Sequence, residues 1–190
     1  MNEIDIRLEG LPGRKPGTPG RKPGTPGRKP GTPARKPGTP ARKPGTPAPP
    51  WLDACRDFAG AVLGELGIED WEVSILLCTD EFIRELNRRY RGRAEPTDVL
   101  SFPQQPEAGS RPELSSPSRL QVAGDIVISL DSLARNAERE GESRETELKR
   151  LLIHGMLHLQ GLDHPEEGDS DMMRAQERLL ERLREKGIEL

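Results

Sequence analysis

The stretch VAGDIVISLDSLARNAEREGESRETELKRLLIHGMLHLQ, residues 122–160, decides the fold. Its first eight residues are mostly apolar and β-branched, which makes 122–129 a buried strand. Gly124 inside that strand marks a bulge. Asp131 to Glu140 then reads as a helix and Gly141 interrupts it. Ser143 to Gln160 reads as a second, longer helix.

Upstream, WEVSILLC (71–78) and TDVLSF (97–102) read as two further strands. Leu52, Cys55, Ala59, Val62 and Leu66 recur at helical spacing, with Gly67 placed to end the helix. Thr79 is positioned to cap a helix running to about Tyr90, with Phe82, Ile83 and Leu86 inward. Residues 103–119 hold four prolines and no periodicity, and so form a loop. A last helix is expected from about Asp169 to Lys186, burying Met172, Leu179 and Leu183. Near the N-terminus Ile4, Ile6 and Leu8 alternate with Asp5 and Arg7, the pattern of a half-buried strand. The order predicts an α+β fold: one small mixed β-sheet of about four strands, packed with about five helices around a long central one.

Composition divides the chain. Of its 190 residues, 12–50 hold 13 of the 19 prolines and only three hydrophobic residues, all alanine. GRKPGTP or ARKPGTP occurs five times between residues 13 and 47. Two prolines per seven residues exclude a coiled coil, and the lack of apolar side chains excludes a core. Residues 12–50 are therefore expected to be a disordered, basic Pro/Gly insertion of polyproline II character, placed after the first strand at 1–11. Residues 51–190 are 38% hydrophobic, enough for one core. The repeat carries ten Lys or Arg and no acid, while residues 51–190 carry 29 acids against 18 bases. An acidic globule thus bears a strongly basic segment.

No run of 18 apolar residues suggests a membrane span, and MNEIDIRLEG has no signal-peptide core, so the expected location is cytoplasmic. Cys55 and Cys78 form no CxxC pair and read as small buried hydrophobes.

The chain's three histidines all fall in HGMLHLQGLDH, residues 154–164. His154 and His158 are four apart on a helix and share one face. Gly161 can end that helix and turn the chain back, bringing His164 toward the first two rings. Three converging imidazoles suit one zinc ion, and three neutral ligands leave a fourth position open, as in catalytic sites, so residues 51–190 are expected to form a catalytic metal-binding domain. The spacing matches HExxHxxGxxH, the zinc peptidase pattern, except at one place. Gly155 stands where those enzymes carry the glutamate that acts as general base.

Three blocks together resemble the YbeY family of single-strand-specific metal-dependent endoribonucleases. They are HGMLHLQGLDH, like HGxLHLxGyDH; LNRRYRGRAEPTDVLSFP (86–103), like LNxxyRxxdxpTDVLSFP; and GDIVIS (124–129). They follow the family order, and with the intervening helices the resemblance covers residues 51–185 and the first strand. Leu162 departs from a usual tyrosine, Ala94 stands where an acid is common, and the heptad repeat is foreign to the pattern. The resemblance implies hydrolysis of single-stranded RNA, maturation of the 3′ end of the small-subunit (16S) rRNA, and ribosome quality control. It implies rRNA in the small ribosomal subunit and ribosome-assembly proteins as partners. It implies one Zn2+ per chain on His154, His158 and His164, and a catalytic role for Arg91.

These residues make chemical sense. Arg91 can donate paired hydrogen bonds to phosphoryl oxygens as negative charge builds on them. Asp163 and Asp98 are each candidates to hold the second nitrogen of a ligating histidine, or else turn and cap residues. Thr97 and Ser101 are candidate RNA contacts, or strand-edge packing. The basic repeat is either an electrostatic RNA tether or a neutral expansion. Two other functions stand beside the nuclease: a non-catalytic zinc-binding ribosome-assembly factor, and a zinc peptidase lacking its usual glutamate.

Overall fold

The computed structural model describes residues 1–9, 49–104, 120–163 and 170–189. The heptad repeat, most of the proline-rich loop and His164 lie outside the described residues. The alternating N-terminal residues form strand β1 (Glu3–Leu8), and the long helical pattern after the repeat forms α1 (Trp51–Glu65). β2 (Trp71–Cys78) follows and pairs in parallel with β1, with Ile6 opposite Ile75. The first strand is thus built into the sheet. Arg56 of α1 reinforces it by donating to the Ile4 carbonyl at 3.2 Å.

β4 (Gln121–Ser129) lies parallel to β2 on its other side, and β3 (Val99–Pro103) runs antiparallel to β4. The sheet is mixed, in the order β1-β2-β4-β3. Gly124 sits at the expected bulge: Glu72 pairs with Val122 and Val73 with Gly124, leaving Ala123 as the extra residue. Gly124 has φ +144°, and a Cβ there would lie 2.2 Å from the Phe102 carbonyl oxygen. Only glycine lets β3 and β4 meet at this point.

The period of two along β4 decides which helices cover which face. Ile126 and Ile128 enter the main core, with α1 and with residues of α3 (Leu130–Glu140), α4 (Arg144–Leu159) and α5 (Asp171–Arg182). Val127 points the other way, to Cys78, Leu100 and Ile83 of α2 (Asp80–Arg91). Ten of the sixteen residues of α4 are buried, which makes it the central helix. Full burial of Leu152, Ile153 and Leu157 stabilises the fold by about 1.5–3 kcal/mol each.

Two expectations about helix ends change. Thr79 occupies the N-cap of α2, but its side chain makes no cap bond. The Asp80 amide instead donates to the Asp131 carboxylate at 2.9 Å, and Asp80 accepts from Ser129 (2.6 Å) and Ser132 (2.7 Å). A neighbouring helix start replaces the local cap. α5 ends at Arg182, short of Lys186, although Leu183 is buried as expected.

Candidate active site

His154 and His158 sit in the last two turns of α4. The Ser143 hydroxyl starts this helix by accepting from the Thr146 amide, and at its far end the Leu162 amide donates to the Leu157 carbonyl at 3.0 Å. Gly161 has φ +88°, the left-handed turn expected there. Leu162 packs against the main core.

The two Nε2 atoms lie 3.1 Å apart, with ring centroids at 4.7 Å. Two imidazoles bound tetrahedrally to one zinc at 2.0–2.1 Å would place their nitrogens about 3.3 Å apart. The pair therefore fits two ligands of one ion. The C-terminal end of a helix also carries partial negative charge, which favours a cation there. Among the described residues no group of three His, Cys, Asp or Glu gathers as metal ligands; the third candidate, His164, lies outside them.

Gln176, on α5, is the site residue that sequence reading passed over. Its Oε1 lies 3.0 Å from His154 Nδ1, and the residue is 1% exposed. A carbonyl oxygen there holds the proton on Nδ1 and leaves the Nε2 lone pair directed at the ion position. A signal was available. Met172, Gln176, Leu179 and Leu183 form one helical stripe, and a glutamine on a buried stripe needs a polar partner.

The other candidates separate. Asp163 Oδ1 approaches His158 Nδ1 at 4.0 Å, an ion-pair distance rather than a hydrogen bond. Among the described residues Asp98 turns to partners other than histidine: it accepts from Asn136 (3.0 Å), the Val99 amide (2.8 Å) and Thr97 (3.2 Å). Asn136 also donates to buried Glu147 at 3.3 Å, so Asn136 ties α3 both to α4 and to the segment entering β3. The Thr97 hydroxyl is engaged by that carboxylate. The Ser101 hydroxyl is buried without a partner, on the face of β3 that it shares with Val99 of the main core. Arg91 is exposed at the C-terminal end of α2.

Position 155 explains why no glutamate stands there. A Cβ on Gly155 would lie 2.8 Å from Ile126 Cγ2 and 2.9 Å from its Cδ1. This face of α4 rests directly on the sheet, so a carboxylate at 155 would enter the core and not the site. The peptidase reading loses its base on steric grounds. Cys55 and Cys78 are free and buried, and burial pushes both thiols up to about 12, reinforced at Cys78 by Asp131 and Asp80.

What the fold and the site define is an α+β protein whose central helix ends in a histidine pair suited to a metal, with glycine and no carboxylate at position 155. The family model described as Endoribonuclease YbeY matches residues 49–184, and the chain belongs to that family. An Endoribonuclease YbeY of Treponema pallidum (strain Nichols) is 46% identical over 133 residues, 70% of this chain and 81% of the relative. One of Aquifex aeolicus is 40% identical over 119 residues, 63% of this chain and 73% of the relative. The solution structure of TM1509 from Thermotoga maritima aligns with a TM-score of 0.45 at 29% identity, covering 70% of this chain and 78% of that one.

Proposed function

We propose that this chain is a zinc-dependent endoribonuclease specific for single-stranded RNA, with one Zn2+ held by His154, His158 and His164. Its place is the maturation of the 16S rRNA 3′ end and ribosome quality control, in the cytoplasm, among ribosome-assembly proteins. The observation that carries the reading is the 3.1 Å approach of the two Nε2 atoms, with His154 Nδ1 tied to Gln176. No described helix is long and apolar enough to cross a membrane.

When bound, zinc supplies a Lewis acid and a nucleophile activated at neutral pH. The chain's own residues do the rest. Gln176 keeps the His154 ring in one tautomer. Arg91 makes no ion pair among the described residues, so its five donors are available to phosphoryl oxygens that gain charge during cleavage. The histidine pair and the guanidinium bind and orient the phosphodiester without a protein carboxylate at position 155.

The test is cleavage of a single-stranded RNA oligonucleotide by highly purified full-length protein, before and after chelation and after zinc is restored. Cleavage lost on chelation, regained with zinc and absent from His154→Ala supports the nuclease. Zinc binding without cleavage replaces it with the assembly factor.

A further inference from the structure

Tyr90 stands in the last turn of α2 and is 53% exposed. Its ring meets Phe102 edge to face, with centroids 5.1 Å apart at 67°. The Arg89 guanidinium lies 5.5 Å from the Tyr90 centroid. Phe102 belongs to β3, an edge strand, so the aromatic pair borders the rim of the sheet. The segment RRYRGR (88–93) around it carries four arginines. Arg88 is held by Glu85 at 2.7 Å, but Arg89 and Arg91 make no ion pair among the described residues.

This patch and the histidine pair lie at the same end of the sheet. A Cβ on Gly124 would lie 2.2 Å from the Phe102 carbonyl oxygen and 3.0 Å from Leu159 Cδ2, and Leu159 follows His158. Phe102 packs with the α2 side of the sheet and Leu159 with the main core. Phe102 of the edge strand β3 and Leu159 of α4 thus meet at Gly124.

We propose that Tyr90, backed by Phe102 and flanked by Arg89, is a stacking platform for one unpaired base of the RNA, and that the strand crosses the rim of β3 from there to the histidine pair. The proposal rests on the nuclease reading and assigns the place where the substrate is gripped. An exposed ring with a cation beside it, in a segment rich in arginine, suits a polyanion with aromatic faces, not an apolar protein surface. A paired base has both faces covered by its neighbours in the duplex, so the platform selects single strands. The arginines attract the backbone and the ring takes the base.

The experiment measures Kd on full-length, metal-free protein for a uridine decamer and for an abasic decamer of the same charge. Wild type should prefer the uridine decamer about tenfold. Tyr90→Phe should keep that preference. Tyr90→Leu, which still covers Phe102, should bind both decamers alike. Because Tyr90 is the only tyrosine, its ring proton resonances should also move upfield as wild type is titrated with the uridine decamer. Preference retained in Tyr90→Leu, preference lost in Tyr90→Phe, or unmoved tyrosine resonances would each overturn the platform. If wild type still cleaves single-stranded RNA, the nuclease reading survives that failure. Wild type that neither binds nor cleaves such RNA removes both.

Discussion

Gln176 Oε1 and His154 Nδ1 lie 3.0 Å apart across the contact between α5 and α4. This links the C-terminal helix to the histidine pair. Gln176→Leu takes away the acceptor and leaves the ring free to change tautomer, so zinc affinity should fall about 10–100-fold. Gln176→Glu keeps an acceptor and should retain affinity. Competition with a chromophoric chelator reads both. Equal affinity in wild type and Gln176→Leu would reduce Gln176 to a packing role.

At Gly155 two effects oppose each other. Alanine there gains about 1 kcal/mol of helix propensity. Its Cβ would press on Ile126 at 2.8 Å, and overpacking of this kind costs about 1–3 kcal/mol. Gly155→Ala should therefore be destabilising in urea unfolding. Ile126→Ala alone should cost about 2–5 kcal/mol by leaving a cavity. The double variant should lose less than the two singles added, because the new methyl enters that space. Strict additivity would mean that α4 can shift away from the sheet at no cost.

Asp80 predicts a specific acid limb. Burial alone would raise its pKa, but bonds from Ser129, Ser132 and Arg135 outweigh this and hold it below the ordinary carboxylate range. Folding thus depresses the pKa. The resulting stability is present above the unfolded value of about 3.9 and is lost as pH falls through the folded value. Asp80→Asn should cost about 1–3 kcal/mol at pH 7. The gap to wild type should narrow below about pH 4. A gap that stayed constant down to pH 2 would contradict the role.

The strands and helices were legible because each reads its environment through period or composition. β4 shows the run of a doubly covered strand, and α4 the absence of a polar face. Gly124 and Gly161 were legible because their backbone demands are local. Gln176 and the cap on α2 were not, for one shared reason. Each is satisfied by a partner far along the chain: His154 is 22 residues from Gln176, and Asp131 is 51 from Asp80. Spacing within a segment cannot supply such pairs. Asp98 illustrates the converse. Its place in the TDVLSF segment makes it a candidate partner for a histidine, yet its carboxylate accepts from Asn136 of α3.

Arg91→Lys separates chemistry from fold. Lysine keeps the charge and loses the planar, paired donors. If Arg91 stabilises the transition state, cleavage should slow by about 10²-fold or more. Its exposure predicts a change in stability of no more than about 0.5 kcal/mol. Single-turnover rates and a melting curve on the same preparation check both. Full activity would remove Arg91 from the reaction.

Deletion of residues 13–47 addresses the repeat through what remains. β1 is held by register pairs from Glu3↔Glu72 to Leu8↔Leu77, and by Arg56 on the Ile4 carbonyl. Residues 9–12 and 48–50 would remain to join β1 to α1. A connection of that size is ordinary between a strand and a helix, so the shortened chain should fold with β1 in place. The deletion removes ten cations and leaves the histidines, Gln176 and Arg91 untouched. Cleavage at saturating RNA should be unchanged. Two outcomes then divide the readings of the repeat. As a tether with about five cations on phosphates at once, its loss should flatten the log–log salt dependence of RNA binding by roughly 3.5 units, at about 0.7 per phosphate. As a neutral expansion, it should leave that slope where it was, because closing a longer loop costs little and contributes no contact. A lower saturated rate with the fold intact would contradict both and place the repeat at the active site.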